Sequence, residues 1–179
     1  MDIVKDVMKV LWIILPAYVA NGTPVIIAKL LYKLRLERHP IDFGRNFIDG
    51  KRLFGDSKSW EGLVAGILTG TITGYIQNLY PLIDSTTNTI VLGLVLSSGA
   101  MTGDVLGAFI KRRIGLKPGE PLLFADQLLF IVVALGLSIA LNILSLSPFD
   151  WFIAVTLTFV LHIVSNLIAY IIGLKNVPW

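Results

Sequence analysis

The sequence predicts an all-α polytopic membrane protein, with five transmembrane helices and an ordered cytoplasmic loop cap, the N-terminus outside and the C-terminus cytoplasmic. Three observations lead there. Of 179 residues, 55% are hydrophobic and only 15% charged, against roughly 25% charged in an ordinary soluble domain. Five apolar stretches, about 7–34, 63–80, 89–110, 122–146 and 149–174, each reach the roughly 20 residues that cross a bilayer. Lys and Arg crowd two of the four connections, 35–62 and 111–121, and are missing from the other two, which sets those two on the cytoplasmic side.

The first stretch is too long for the apolar core of a cleaved signal and lacks a small-x-small site, so it is expected to stay. Lys5 and Lys9 are a mild counter-signal to its orientation. Its interior carries "ANGTPV", residues 20–25, where Pro24 removes a donor, Gly22 weakens the helix, and Asn21 and Thr23 place polar groups at depth. Irregular backbone in a membrane needs protein burial or a wet cavity, and the polar residues favour a cavity-facing break over a simple kink.

The connection that follows, "RLERHPIDFGRNFIDGKRLFGDSKSWEG", is long for a link between neighbours. Its spaced Ile41, Phe43, Phe47, Ile48, Leu53, Phe54 and Trp60 predict an ordered cap. In the second stretch Gly62, Gly66, Gly70 and Gly74 recur every four residues, a ridge that lets a neighbouring backbone approach. In the fifth, His162, Ser165 and Asn166 share a face and are expected to bond between helices, as is Asn142. No repeat or second composition divides the chain, so one membrane domain, 1–179, is expected.

The chemistry gathers around the third and fourth stretches. At 100° per residue, Ser97, Ala100, Gly107, Ala108 and Lys111 lie within about 60° of Asp104, so one carboxylate and one amine share a face otherwise made of small residues. Acids inside membranes are costly and tend to mark ion paths, relays or metal sites. Pro118, Gly119 and Pro121 mark the start of the fourth helix, with Asp126 about one turn inside. The short connection makes the two helices antiparallel neighbours, bringing Asp104 and Asp126 to similar depth. Two carboxylates facing one cavity suit Mg²⁺, which takes hard oxygen ligands and substrate phosphates. The cap adds Asp42, Asp49, Asp56, Arg45, Lys51, Arg52 and Lys58; Asp56 and Lys58 stand out, because glycine precedes them and a helix start follows.

The absence of cysteine excludes disulfides, thiolate catalysis and Cys-type zinc sites. P-loop, GxSxG, HExxH and DDxxD patterns are also missing. The net charge of +3 follows from topology and anionic lipid as readily as from a polyanionic substrate. No nucleic-acid partner is expected, and the oligomeric state is not legible.

"PIDFGRNFIDGKRLFGDSKSWEG", "GDVLGAFIKRRIGLKPGEP" and the pair Asp126–Gln127 resemble the archaeal CDP-archaeol synthases, the CTP:2,3-di-O-geranylgeranylglyceryl phosphate cytidylyltransferases, over nearly the whole chain. The segment 103–127 is also similar to a shortened signature of phosphatidate cytidylyltransferases. In that comparison Lys111 and Arg112 match a Lys-Arg pair, Asp126 the metal-binding aspartate, and Asp104 the acid upstream. Two positions depart: Pro118 follows Lys117 where that signature has aspartate, and Gln127 replaces its arginine.

The resemblance implies transfer of CMP from CTP to an isoprenoid ether lipid phosphate within the bilayer, with pyrophosphate released. Asp104 and Asp126 would hold Mg²⁺, with Lys111 beside them in the catalytic set. Arg112, Lys117, Lys51, Arg52, Lys58 and Asp56 would bind CTP or lipid phosphate, and Asn21 and Thr23 are candidates for reading cytosine. The alternatives are an acyl-lipid phosphatidate cytidylyltransferase and a small ion or solute transporter using the two acids as a relay. A CDP-alcohol phosphotransferase lacks its further aspartates here, and a structural module leaves both acids unexplained.

Overall fold

Five helices carry most of the computed structural model, which describes residues 3–81, 88–117, 119–122, 124–174 and 176–177. They are α1 (Ile3–Leu34), α2 (Trp60–Leu79), α3 (Thr89–Arg113), α4 (Ala125–Ala140) and α5 (Pro148–Ile171). Pro118 and residues 82–87 of the expected outer loop lie outside the described residues. By length and composition α1, α3 and α5 can each cross a membrane. The fourth helix is shorter than the sequence suggested, and its 16 residues span about 24 Å.

Glycine determines how the helices pair. A Cβ on Gly62 would meet Pro24, one on Gly66 would lie 2.9 Å from the Ala20 carbonyl, and one on Gly70 would lie 2.8 Å from the Pro16 carbonyl. Rising residue numbers on α2 thus meet falling numbers on α1, so the two are antiparallel. The same ridge meets α3 at Met101, Ser97 and Gly93 in turn. Between α3 and α4 the close approach is Gly103 against Leu129 and Phe130, then Gly99 against Ala134. The salt bridge of Lys9 with Asp150, 3.1 Å, and the bond from Lys29 to the Gly173 carbonyl tie like ends of α1 and α5 together.

The buried apolar cluster draws Val10, Ile14, Ala17 and Ala20 from α1, Leu92, Leu96 and Ala100 from α3, Phe130, Ile131, Ala134 and Leu135 from α4, and Ile153 and Ala154 from α5. α2 buries its four glycines and Gln77, and exposes Val64, Leu68, Ile72 and Ile76. An apolar outward stripe over a small-residue inward ridge is how a helix packs when its surroundings are lipid.

The expected break in α1 does not occur. The helix runs continuously through Pro16 and Pro24. Thr23 is buried, donates to the Val19 carbonyl at 2.7 Å and meets the Thr69 hydroxyl of α2 at 2.8 Å. Its polarity is spent inside the α1–α2 contact, as neighbouring helices and hydroxyl side chains permit around a proline.

α4 stops early because Asn142 adopts a left-handed backbone, φ 55°. The Ile143 N–H then reaches the Ser138 carbonyl and the Asn142 N–H the Ile139 carbonyl, which is the Schellman closure. Gly115, φ 82°, closes α3 in the same manner. The cap, 35–59, is ordered: short bridges join Pro40 to Ser59 and Asn46 to Arg52, and Phe47 and Phe54 pack on Phe109 of α3 at 5.4 and 6.3 Å.

Candidate active site

The site forms where the cap lies over the last turns of α3 and the first turn of α4. Asp42 organises the cap. It is buried and accepts from Arg52 at 2.7 Å and from the N–H groups of Gly44, Phe54 and Gly55 at 2.9–3.1 Å. Burial pushes its carboxyl up, but Arg52 and those three donors outweigh burial and hold it well below the usual carboxylate range. Arg52 also pairs with the exposed Asp56 at 2.8 Å. The hub fixes the Gly55 turn, where the Lys58 N–H bonds the Gly55 carbonyl, and so aims Lys58 at α3.

Lys58 Nζ lies 2.7 Å from both carboxylate oxygens of Asp104. Lys111 Nζ lies 3.1 and 2.9 Å from those of Asp126, whose Oδ2 also accepts from the Leu122 N–H at 2.8 Å. The two pairs line one cavity of about 70 Å³ with Phe54, Ser57, Ala108, Arg112 and Gly119. A second cavity of about 340 Å³ is lined by Lys51, Arg52, Gly55, Asp56, Arg112, Gly115, Leu116 and Lys117. Arg112 is common to both walls. Among their described lining residues, six cations face three carboxylates, an excess suited to a polyanion.

Most of the expected site residues therefore meet here. Asp104, Lys58, Lys111, Arg112 and Asp126 share the small cavity, and Lys51, Arg52, Asp56, Arg112 and Lys117 the larger. Neither cavity is lined by Asn21 or Thr23. Lys111 does not face Asp104 along its own helix but crosses to Asp126. Gly107 faces the Leu129 side chain of α4, leaving Ala108 as the small residue at the cavity. Ser97 bonds the Ile67 carbonyl of α2 at 3.2 Å, so the α3 face is packed there and opens only at Asp104. α4 carries no acid after Asp126, and no group of three metal-ligating side chains occurs among the described residues.

Sequence reasoning grouped Asp42 with the other cap charges and missed it as the hub, and missed Phe54 and Ser57 in the wall. It also missed Arg113, which lies over Phe47 and Phe109 at 4.8 and 4.9 Å and pairs with Asp49 at 2.7 Å, tying the cap to α3. A signal for the hub was available: Asp42 precedes Phe43–Gly44, which turns through positive φ, a place where aspartate often bonds its own backbone two residues on.

The chain is 43% identical over 169 residues to the CDP-archaeol synthase of Pyrobaculum arsenaticum, covering 93% of this chain and 95% of that one. It is 42% identical to the CDP-archaeol synthase of Thermofilum pendens, covering 94% and 79%. A solved structure described as an intramembrane enzyme for archaeal membrane lipids biosynthesis superposes with a TM-score of 0.78 at 34% identity, covering 89% of this chain and 94% of that chain. Helical fold and these likenesses together define a membrane-embedded enzyme. The family profile "CarS-like: CDP-archaeol synthase" matches residues 2–179, and the chain belongs to that family.

Proposed function

We propose that the joined cavities beneath the cap are where CTP meets an isoprenoid ether lipid phosphate, with the cap on the cytoplasmic side of a five-span bundle. As a member of this family the chain is a CTP-dependent membrane cytidylyltransferase of archaeal lipid synthesis. In the reaction a lipid phosphate oxygen forms a bond to the α-phosphorus of CTP while the bond to the bridging α–β oxygen breaks, and pyrophosphate leaves. A phosphate monoester with second pKa near 6 is already largely ionised at neutral pH, so the protein supplies no general base. Its task is to hold two anions together in line.

The observation that carries this reading is the pairing of two intramembrane carboxylates with lysines beside a wall of further cations. Lys51, Arg52 and Lys117 line the larger cavity, where they receive phosphate oxygens, and Arg112 spans the boundary at which the two substrates join. Two carboxylates completed by water and substrate phosphates make a donor set suited to Mg²⁺. Asp104 and Asp126 would hold that ion, which supplies charge neutralisation and Lewis acidity when bound. Lys58 and Lys111 balance the two acids otherwise and turn to phosphate oxygens when substrate enters.

A relay across the bilayer is not favoured, because both acids sit at the cap end, each already matched to a lysine. An acceptor panel with CTP and Mg²⁺ tests the assignment. Pyrophosphate release with an isoprenoid ether phosphate well above that with phosphatidic acid is expected; equal or greater release with phosphatidic acid would overturn the acceptor, and none with any lipid phosphate the reaction.

A further inference from the structure

Asp126 is reached through an unusual piece of backbone. Phe124, directly before α4, has φ 64° and ψ −45°, a positive φ with negative ψ close to the rare and strained classic γ-turn conformation. The helix that follows has no side-chain cap. In place of a cap, the Asp126 N–H bonds the Leu122 carbonyl at 3.0 Å, Asp126 Oδ2 accepts from the Leu122 N–H at 2.8 Å, and the Leu128 N–H bonds the Phe124 carbonyl at 2.8 Å. The reversal at Phe124 thus sits inside the loop that turns the Asp126 carboxylate toward Lys111.

A strained residue persists only where its surroundings hold it. Phe124 is 63% exposed, so burial does not do so. The ring of Phe159 on α5 is stacked on it at 5.7 Å with 19° between planes. α5 packs less extensively on the bundle than α2, α3 and α4 do on their neighbours, so this stack is a specific bridge from α5 to the entry of α4.

We propose that Phe124 and Phe159 act as a positioning pair for Asp126: the stack holds the strained positive-φ turn that keeps the carboxylate aimed into the small cavity. The inference rests on the proposed role of Asp126, and Asp126→Asn is therefore the reference. The full chain in nanodiscs is assayed for turnover, and Mn²⁺ binding in the presence of CTP is followed by electron paramagnetic resonance.

Phe124→Ala and Phe159→Ala are each expected to lower kcat about tenfold, the size of a small misplacement, with KM for CTP within about twofold and Mn²⁺ affinity falling in parallel. The double variant should be no worse than either single one, and Phe124→Tyr should retain wild-type behaviour. Wild-type kcat and Mn²⁺ binding in both alanine variants, additive losses in the double variant, or a loss that Phe124→Tyr shares would overturn the pair. If Asp126→Asn itself turns over normally, the role of Asp126 fails instead.

Discussion

The carboxylate of Asp104 lies inside a helix of mostly apolar and small residues, and its side chain is 29% exposed, as is that of Asp126. A lone buried charge is costly unless paired, and Lys58 and Lys111 provide the pairing. Replacing either acid with Asn removes a negative ligand with almost no change in shape. Asp104→Asn and Asp126→Asn are each expected to cut turnover by at least about a hundredfold, since each takes away half of the proposed two-carboxylate metal site. Normal folding is checked by gel filtration.

Asp42 acts differently. Its depressed pKa stabilises the cap at every pH above the unfolded aspartate value of about 3.9, and that contribution is lost only as pH falls through the lower folded value. The cap should therefore withstand mild acid, monitored by protease sensitivity of 35–59. Asp42→Asn should cost roughly 2–3 kcal/mol at neutral pH through lost charge-assisted bonds. Helical periodicity and a short connection were enough to expect Asp104, Lys111 and Asp126 near one another, and the structure gathers them around one cavity. Periodicity did not reveal that Lys111 serves Asp126, since that depends on how α3 and α4 are rotated against each other.

At the scale of elements, glycine carries what the sequence showed most clearly. The every-fourth spacing on α2 marked a packing ridge; the same spacing at Gly99, Gly103 and Gly107 on α3 is a second ridge, against α4, that spacing alone does not assign to a partner. A Cβ at Gly103 would lie 2.7 Å from the Leu129 carbonyl and the Phe130 Cα, both backbone, so the helices must part. Gly103→Ala should lower thermal stability by an amount on the order of 1–3 kcal/mol and reduce turnover as well, by separating Asp104 from Asp126. Gly136 has open space around its Cβ position; Gly136→Ala should be neutral or stabilising by up to about 1 kcal/mol, judged by thermal melts in the same detergent. Helix ends were less legible. The stop at Asn142 depends on one residue turning left-handed, and the hydropathy of 141–146 gives no sign of it. The "ANGTPV" segment misled for a related reason: partners on α2 restore what proline and threonine disturb.

For the whole molecule, the cap end concentrates charge and both cavities, while the opposite end carries the Lys9–Asp150 pair with Lys5 and Asp6 near the start of α1. Composition and the distribution of Lys and Arg made that asymmetry visible before any coordinates. In the proposed reaction the cavity between cap, α3 and α4 joins CTP to a lipid phosphate through Asp104 and Asp126. The measurement that tests it most directly is incorporation of label from α-labelled CTP into extracted lipid, with an isoprenoid ether phosphate as acceptor and the wild-type, Asp104→Asn and Asp126→Asn proteins compared. Labelled lipid from the wild type, with near background from both variants at unchanged expression and folding, is the predicted result. Labelled lipid at wild-type rates from both variants would contradict it.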